Sequence, residues 1–395
     1  MSNKACEYSE NSFFLLHEEE LLSLLEALCH IPAPSGHEEQ RAAFIQRWLL
    51  EQCSLPSRMD DAKNVLVEFP GASGGDTSRA KKSISDGILL FTAHTDTVFP
   101  DTDPMPVVRT SERISSPGVG DDTACTAILM IFLKYKKQEL SSCPHPLLFA
   151  FNSCEEGLGN LKGSRQIMHD YGSRIREMTS FDGGVRGICN RAVGSLRYRI
   201  LIRTRGGHSY NNFGSPNAIE AQCSLISRLY QMRLPDQGRN TFNVGVIEGG
   251  TSVNTIAQSC SCLFEYRSDT RESLAAMDAW FHNTLKQFQA QRPGIALDLE
   301  LIGERPCSGD VDPDYMRKLT GRALSSMRRF SDSDPLIGSG STDCNIPLSL
   351  GIPAICFGGL LGDGVHTREE YVSIPLLLQM AKIIENYLTV SISAP

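Results

Sequence analysis

The order of apolar and polar residues divides the chain into regions of different character. In the first region, the short runs NVLVEF, GILLFTA and PLLFAFNS are almost wholly apolar, as strands buried on both faces are. Between and around them, EEELLSLLEALCHI and TACTAILMIFLKYKKQ have apolar residues at helical spacing. Strands that alternate with helices in this way predict an α/β layer with a largely parallel sheet, whose ligands bind beyond the carboxyl ends of the strands.

The middle of the chain has a different pattern. SLRYRILIRT alternates apolar Tyr198, Ile200 and Ile202 with arginines, which is typical of a strand with one buried face. After it come a helical stretch (SPNAIEAQCSLISRLYQM), two strands (TFNVGVIEGG and SCSCLFEYRS), a second helix (RESLAAMDAWFHNTLKQFQ) and a last strand (GIALDLELIG). This β-α-β-β-α-β order predicts a small α+β domain with a four-stranded sheet backed by two helices.

The α/β pattern returns after the last strand of the middle region. PDYMRKLTGRALSSM and PLLLQMAKIIENYL predict helices, and PAICFGG predicts a buried strand. We therefore predict one α/β domain with a mixed, largely parallel sheet flanked by helices, formed by residues 1–192 and 304–395. The small α+β domain is predicted to be inserted into it as residues 193–303.

Composition and charge narrow the class of protein. Hydrophobic residues make up 41% and charged residues 21% of the chain, as in ordinary folded proteins. The net charge is -8 without a basic stripe, so we expect no nucleic-acid partner. No apolar run approaches the roughly 20 residues that span a bilayer, and a secretory signal pattern is not seen, so we expect a cytoplasmic protein without a membrane partner. The 13 cysteines form no CxxC pairs, and we expect mostly buried thiols.

Side chains that could bind metal ions follow two of the apolar strands. His94 and Asp96 come after GILLFTA, and Glu155 and Glu156 come after PLLFAFNS. Side chains two residues apart in a strand point the same way about 7 Å apart, so Asp96 could orient the His94 ring from behind. A pair of glutamates at the end of a buried strand costs free energy unless a cation is near, although a solvated loop is the other interpretation.

Three further motifs add carboxylates and an imidazole. Asp121 and Asp122 in GVGDD precede a helix, and capping of that helix would explain one aspartate but not both. Asp182 precedes two glycines and His366 follows a glycine-rich segment, and each alone also fits a turn. Together, the carboxylates and imidazoles after the strands suit a pair of divalent ions, with zinc favoured over magnesium by the imidazoles.

A set of ordered motifs resembles those of the co-catalytic zinc peptidases and amidohydrolases, the family of peptidase T, carboxypeptidase G, aminoacylase and acetylornithine deacetylase. The motifs span nearly the whole chain and are HTD, GVGDD, CEEG, FDGG, GGHS, GGTSVN, EYRSD, STDCN and VHTREEYV. The resemblance implies two Zn²⁺ ions per subunit, with Co²⁺ or Mn²⁺ as alternatives. It implies that Asp121 bridges the ions and is followed by a cis peptide bond. The implied partners in metal binding are His94 and Asp182 at one site, and Glu156 and His366 at the other.

The resemblance also implies roles for residues that do not bind metal. Glu155 is similar to the family's general base, and Asp96 to the carboxylate behind the first histidine ligand. His208 is similar to the histidine of the inserted domain that donates to the developing oxyanion, commonly in the partner subunit's active site. This implies a lid and dimerisation role for the inserted domain, and a homodimer. Asn254 and Arg267 match positions that contact the substrate or its carboxylate.

The chain departs from the commoner family pattern at two positions, one of which bears on the substrate. Thr123 follows the paired aspartates where many relatives have lysine, which bears on the helix start more than on the ligands. The carboxylate at position 182 is aspartate, as in the peptidases, whereas deacylases usually have glutamate. We therefore expect hydrolysis of short peptides from the N-terminus, as by tripeptide aminopeptidases. An N-acyl amino acid deacylase or carboxypeptidase is the alternative, with Arg267 holding the substrate carboxylate. A non-catalytic binding protein on the same scaffold is a second alternative.

Overall fold

The computed structural model describes residues 13–71, 87–331, 334–359 and 361–393. The chain divides into two compact units, of which the first is Met1–Asn190 with Asp310–Pro395 and the second is Arg191–Gly309. The second unit thus begins two residues before the predicted inserted domain and ends six residues after it. Within the described ranges, no helix is both long enough and apolar enough to cross a membrane.

The first unit is built on a mixed eight-stranded sheet. In sheet order its strands are β1 (Arg58–Met59), β2 (Val65–Phe69), β6 (Leu147–Asn152), β3 (Ile88–His94), β7 (Ile175–Phe181), β16 (Ala354–Gly358), β8 (Gly187–Ala192) and β15 (Ile337–Gly340). Strands β6, β3, β7 and β16 run parallel to one another. Strands β2 and β8 pair antiparallel on the two sides of this group. The carboxyl ends of four neighbouring strands therefore meet at one edge of the sheet.

Helices pack against this sheet through buried apolar side chains. They are α1 (Phe13–Leu16), α2 (Glu18–His30), α3 (Glu39–Cys53), α4 (Ala124–Ser141), α5 (Lys162–Tyr171), α8 (Pro313–Phe330), α9 (Asn345–Ser349) and α10 (Ile374–Ser393), with a short 3-10 turn at Gly172–Arg174. The first ten residues of α4 are all buried, because its sequence there is apolar on every side. Phe91, Phe149 and Phe181 of the sheet share one core with Phe132 of α4 and Tyr387 of α10.

A second, smaller sheet of the first unit supports two of the loops that carry candidate site residues. Its strands, in order, are β17 (Gly362–Asp363), β18 (Tyr371–Ser373), β5 (Arg113–Ser115) and β4 (Val108–Arg109). His366 lies in the loop between β17 and β18. A short segment, Val119–Thr123, follows β5 and leads into α4, and its Asp121 and Asp122 have non-helical backbone angles.

The second unit is a four-stranded antiparallel sheet covered on one face by two helices. In sheet order its strands are β11 (Asn240–Gly249), β13 (Ser259–Ser268), β9 (Gly194–Arg203) and β14 (Ala296–Arg305), and its helices are α6 (Ala218–Leu229) and α7 (Arg271–Ala290). A short ladder joins β10 (Gly207–His208) to β12 (Thr255–Ile256). Tyr198, Ile200 and Ile202 are buried with Phe264 and Phe281, as the alternating pattern predicts. The predicted β-α-β-β-α-β order is confirmed.

Candidate metal centre

The carboxyl ends of three parallel strands carry the candidate site residues of the first unit. His94 is the last residue of β3, Glu155 and Glu156 follow β6, and Asp182 follows β7 directly. These side chains are buried, and His94 is only 1% exposed. His366 adopts a left-handed backbone conformation, with a φ of 65°, and its side chain is half exposed. Sequence reasoning therefore located these residues on the elements that bring them together.

Asp121 lies between the two histidines. Its Oδ1 is 3.0 Å from His94 Nε2, and its Oδ2 is 3.1 Å from His366 Nε2. The same His366 nitrogen is 3.1 Å from Glu156 Oε1. Ligand atoms of His94, Asp121 and Glu156 all lie within 4.8 Å of one another. One carboxylate thus faces two imidazoles with two different oxygens, as a bridging metal ligand does.

The donor set fits divalent metal ions. Because zinc bonds to nitrogen and oxygen are about 2.0–2.2 Å long, atoms separated by 3.0 Å, such as His94 Nε2 and Asp121 Oδ1, can bind the same ion. His94 Nδ1 lies 3.1 Å from the Asp96 carbonyl oxygen and 3.5 Å from Asp96 Oδ1. These acceptors hold a ring proton on Nδ1, which leaves Nε2 as the nitrogen that faces the Asp121 oxygen. Either a proton or a metal ion can lie between Nε2 and that oxygen.

The carboxylates raise the pKa of both histidines. Burial of His94 disfavours its charged ring, but hydrogen bonds with Asp121 and Asp96 outweigh burial and raise the pKa of His94 well above its usual value. Hydrogen bonds with Asp121 and Glu156 raise the pKa of His366 to about 10. Burial opposes ionisation of Asp121 as well, yet its hydrogen bonds with the two histidines lower its pKa. The imidazoles and the bridging carboxylate therefore stabilise each other's charged forms.

Two other carboxylates near Asp121 lie in an environment that disfavours their charged forms. Burial and the charge of Asp121 raise the pKa of Asp182 to about 7. Burial also raises the pKa of Asp122 well above its usual value. Buried carboxylates that repel one another are stabilised by a bound cation, so the electrostatics of the cluster favour a metal centre.

The two glycines after Asp182 leave room for Asp121. A Cβ atom on Gly184 would lie 2.5 Å from Asp121 Oδ2, and one on Gly183 would lie 1.8 Å from the Gly120 carbonyl oxygen. Neither position has space for a larger residue without a shift of the chain. The FDGG motif therefore reflects close approach of two segments and not a turn alone.

Asp122 connects segments of the site and does not cap a helix. The peptide bond between Asp121 and Asp122 is cis, as the resemblance implies. Asp122 Oδ2 accepts the backbone N–H of His94 at 3.1 Å, and Oδ1 accepts that of Gly183 at 3.0 Å. The residue before α4 is Thr123, and no side chain caps the helix there. Helix capping, which could explain one of the paired aspartates, is wrong for Asp122, because its carboxylate accepts the backbone N–H groups of His94 and Gly183.

Asp96 fixes the backbone of both glutamates. Its Oδ1 accepts the N–H of Glu155 and its Oδ2 that of Glu156, both at 2.9 Å. The Ser35 hydroxyl donates to Oδ2 at 2.6 Å. Burial opposes the charge of Asp96, but the hydrogen bond with His94 and those with its other donors lower its pKa. The aspartate therefore connects His94, a candidate metal ligand, to the segment with the predicted base.

A family assignment follows from comparison with known proteins. The pattern of peptidase family M20/M25/M40 matches residues 90–390, which is most of the chain. The chain belongs to this family. It is thus a member of a family of metallopeptidases and amidohydrolases, and the predicted resemblance is confirmed.

One sequence relative and two solved structures show which kinds of protein this M20 chain is similar to. The putative succinyl-diaminopimelate desuccinylase of Mycobacterium tuberculosis is 23% identical over 375 residues, which cover 93% of this chain and 97% of the relative. The structure of a tripeptidase from Staphylococcus aureus matches with a TM-score of 0.74 and 20% identity, covering 95% and 98% of the two chains. The YXEP protein of Bacillus subtilis, a dinuclear metal-binding peptidase, matches with a TM-score of 0.64 and 15% identity over 96% and 100%. The structural matches confirm the predicted fold class.

Sequence reasoning missed Glu370 of this M20 metallopeptidase. The side chain is 1% exposed and accepts three backbone N–H groups from the segment that precedes Asp122. Its only local signal is its position four residues after His366 in VHTREEYV, a motif in which the sequence analysis predicted a role for the histidine alone.

Arg41 was missed as well. The guanidinium is buried in the first unit, where Nη1 donates to the Thr95 carbonyl at 2.8 Å and Nη2 donates to the Ile31 carbonyl at 2.6 Å. Nη1 also lies 3.3 Å from the hydroxyl of Thr123, the residue that stands where many relatives have lysine. Burial lowers the pKa of Arg41 to about 10. The Arg41 guanidinium of α3 therefore lies beside Thr123, two residues after Asp121.

His208 and Asn254 lie side by side in the second unit. The pairing of β10 with β12 brings them together, and the Ser209 N–H donates to the Asn254 carbonyl at 2.9 Å. His208 Nδ1 accepts the backbone N–H groups of Tyr210 at 3.2 Å and Asn211 at 3.4 Å. The ring proton therefore lies on Nε2, which makes that nitrogen a hydrogen-bond donor.

Arg267 lies at the other end of the same sheet. It is opposite Ser195 in the ladder of β13 and β9, and its Nη2 is 3.0 Å from Glu265 Oε2. The β10–β12 ladder adjoins the Ser259 end of β13. Eight residues of extended chain separate Ser259 from Arg267, which corresponds to about 26 Å. Within the second unit, the structure does not bring Arg267 together with His208.

Proposed function

We propose that this protein is a two-metal aminopeptidase that removes the N-terminal residue from short peptides, most naturally dipeptides and tripeptides, with Zn²⁺ as the metal. The observation that carries the proposal is the position of Asp121, which presents one oxygen to His94 and the other to His366. The two imidazoles favour zinc, with Co²⁺ or Mn²⁺ as alternatives.

In this proposal each ion has its own ligands besides the shared Asp121. His94 and Asp182 hold the first ion, which is consistent with the interaction of the Asp182 charge with His94 and Asp121. Glu156 and His366 hold the second ion, which is consistent with the 3.1 Å distance between their side chains. All four side chains lie beyond the carboxyl ends of the central strands or in the loop after β17.

The reaction then assigns a task to Glu155. Two bound divalent ions would supply Lewis acidity toward the amide carbonyl and lower the pKa of a water molecule. Glu155 would accept a proton from that water as the water oxygen bonds to the carbonyl carbon, and would return the proton to the amine nitrogen as the C–N bond breaks. Its backbone N–H is bound by Asp96, which fixes the position from which the Glu155 side chain extends. The Nε2–H of His208 donates to the oxyanion that develops on the substrate.

The substrate class is proposed from the residue at position 182 and from the similar structures. An aspartate there is typical of the peptidases in the resemblance, and the tripeptidase from Staphylococcus aureus matches nearly the whole chain. Asn254 and Arg267 are the proposed contacts to the substrate. The second candidate is an N-acyl amino acid deacylase or carboxypeptidase, which the similarity to the desuccinylase favours. A non-catalytic binding protein is disfavoured, because a loss of catalysis would be expected to release the ligand residues and Glu155 from constraint.

The test is a mixture of tripeptides, each present with a free and an acetylated N-terminus, added to zinc-loaded protein and followed by mass spectrometry. Release of the first residue from the free peptides alone is the expected result. Cleavage of the acetylated set would overturn the aminopeptidase assignment in favour of the deacylase or carboxypeptidase. Inactivity toward both sets, with two ions bound, would leave the binding protein.

We propose that the protein is a homodimer through its second unit. β11 is an edge strand whose Val246 and Ile247 are 41% and 48% exposed, and Phe213 and Val253 elsewhere in the second unit are almost fully exposed. The opposite edge strand, β14, exposes the charged Asp298 and Glu300 beside the apolar Leu301. An exposed edge with apolar side chains is suited to pairing with a second copy. Sedimentation equilibrium is expected to give a dimer, and an Ile247→Lys variant a monomer.

The proposed compartment is the cytoplasm. The described cysteines are free thiols, and nearly all of them are buried, which suits a reducing environment. Localisation of a tagged full-length protein by fractionation tests this assignment.

A further inference from the structure

Glu370 is a buried carboxylate to which the proposed reaction assigns no role. Its Oε1 accepts the N–H groups of Gly120 at 2.8 Å and Asp121 at 3.0 Å, and its Oε2 accepts the N–H of Gly118 at 2.8 Å. In addition, its backbone carbonyl accepts the N–H of Ser116 at 3.1 Å. All four donors belong to the segment that ends in the bridging aspartate.

The glycines of this segment leave the space that Glu370 and its neighbours occupy. A Cβ atom on Gly120 would lie 3.0 Å from Glu370 Oε1, so a larger residue there would push the carboxylate away. Gly118 has a φ of 71°, and a Cβ atom on it would lie 2.5 Å from a methyl group of Thr97. The two glycines thus allow three backbone N–H groups within four residues, those of Gly118, Gly120 and Asp121, to point at one side chain. The glycine-rich approach to Asp121 therefore serves Glu370 as well as the metal ligand.

Glu370 also fixes the loop that carries His366. It is four residues beyond the histidine and directly precedes β18, where Tyr371 pairs with Ser115 of β5. The loop has no regular structure of its own between β17 and β18. Glu370 therefore joins two segments, and these are the segments whose ligands, Asp121 and His366, approach to 3.1 Å.

We propose that Glu370 is a positioning residue that sets the distance between Asp121 and His366 and thereby builds the second metal site. This rests on the proposed two-metal function. The carboxylate does not touch the substrate or the ions; it acts through the backbone of Asp121. His94, by contrast, is held by Asp122 and Asp96, so the first metal site has a separate support. Loss of Glu370 should therefore affect one ion more than the other.

The test is metal binding by Glu370→Gln, with Glu369→Gln as the matched control, because Glu369 is the neighbouring glutamate and is exposed. The amide keeps the size of the side chain but presents an N–H group to one of the three donors. Titration of metal-depleted protein with Co²⁺, followed by absorption spectroscopy and calorimetry, separates the two binding steps. The second dissociation constant is expected to rise about 10- to 100-fold in Glu370→Gln, as for other residues that orient ligands. The first constant should change less, because Asp121 also serves the first ion but His94 and Asp182 do not depend on Glu370, and both constants of Glu369→Gln should stay at their wild-type values.

Hydrogen exchange gives a readout that does not depend on metal or activity. The amides of Gly118, Gly120 and Asp121 are expected to exchange faster in Glu370→Gln than in the wild type, with the strands of the sheet unchanged. Wild-type exchange at these amides together with two wild-type dissociation constants would overturn the proposal. If Glu370→Gln folds poorly, Glu370→Asp, which keeps the charge with a shorter reach, is measured in the same way. A wild-type protein that binds two ions but cleaves no peptide would refute the proposed function and leave the role of Glu370 intact.

Discussion

The two adjacent glutamates after β6 are expected to have separable roles. Glu155→Gln removes the proton acceptor without changing the size of the side chain, so kcat is expected to fall by about 10²- to 10⁴-fold. Metal content should stay at two ions per subunit, because Glu155 is not among the proposed ligands. Steady-state kinetics and elemental analysis of the same preparation measure both quantities.

Glu156→Gln is the matched control for this experiment, since it should lose metal together with activity. A Glu155→Gln protein that turns over at a near wild-type rate would remove the base assignment. A loss of metal from Glu155→Gln would mean instead that the two glutamates had been assigned in the wrong order.

The pKa values of the ligands predict that metal binding releases protons. Carboxylate neighbours raise the pKa of His366 to about 10, so at neutral pH the metal-depleted ring is protonated and must lose that proton to bind an ion. The apparent affinity should therefore rise with pH, by about tenfold per pH unit for each proton displaced. Below the pKa of Asp182, which is raised to about 7, a further proton competes and the slope should steepen.

Calorimetry in buffers of different ionisation enthalpy measures the number of protons released. His366→Gln is expected to release about one proton fewer than the wild type at neutral pH, because its amide does not titrate. An affinity that is independent of pH between 6 and 8 would show that the ligands are already deprotonated before metal binds.

The positions of the candidate metal ligands could be predicted from the sequence because each follows a strongly apolar strand or a glycine motif, whereas their separate roles came from the family resemblance. Polar residues at the ends of parallel strands must lie at one edge of the sheet, so position alone brought His94, Glu156 and Asp182 together. Glu370 and Arg41 could not be predicted in this way. Both bind backbone groups of segments far away in the chain, and backbone groups leave no trace in the residue pattern.

At the scale of helices and strands, length and local pattern decided what could be predicted. The long apolar strands and amphipathic helices were recognised, whereas the two- and three-residue strands of the small sheet carry no period. Strand β7 was missed for another reason, since IREMTSF has the charged Glu177 as its third residue. Glu177 is 1% exposed; it forms an ion pair with Arg322 and accepts a hydrogen bond from the hydroxyl of Tyr315 at 2.6 Å, and both partners are more than 130 residues away. A core strand is therefore hard to recognise from sequence when it contains a buried charge whose partner lies far away along the chain.

Arg41 is expected to hold elements of the first unit together. Its guanidinium, in α3, bonds the carbonyl of Ile31 after α2 and that of Thr95 after β3. Arg41→Met fills a similar volume but leaves buried carbonyl groups without a donor, so the free energy of unfolding should fall by about 3 kcal/mol. Urea-induced unfolding followed by circular dichroism measures the change.

Arg47→Met in the same helix is the control, because Arg47 is exposed and its loss should change the free energy of unfolding little. Equal stability of the two variants would contradict a structural role for Arg41. If Arg41→Met is also less active at full metal loading, the guanidinium affects the helical turn at Thr123 as well as stability.

At the scale of the whole molecule, the positions of Arg267 and His208 bear on how many subunits build one active site. His208 lies in the ladder that adjoins the Ser259 end of β13, and Arg267 is about 26 Å from Ser259 along that strand, whereas an extended tripeptide spans only about 10 Å. If both contact the same short substrate, they are therefore expected to come from different subunits. The alternating strand pattern predicted the sheet on which both lie, but a pattern contains no information about a second copy of the chain.

Subunit mixing tests this arrangement directly. A Glu155→Gln subunit has no base but an intact His208, and a His208→Ala subunit has the reverse. If His208 acts in the partner's site, a mixed dimer contains one site with both groups and one with neither. Random exchange of equal amounts makes half of the dimers mixed, so about one quarter of the wild-type activity should return. Each variant alone should stay nearly inactive. Exchange is verified by co-purification of differently tagged subunits, and verified exchange without recovered activity would place His208 in its own subunit's site or outside the reaction.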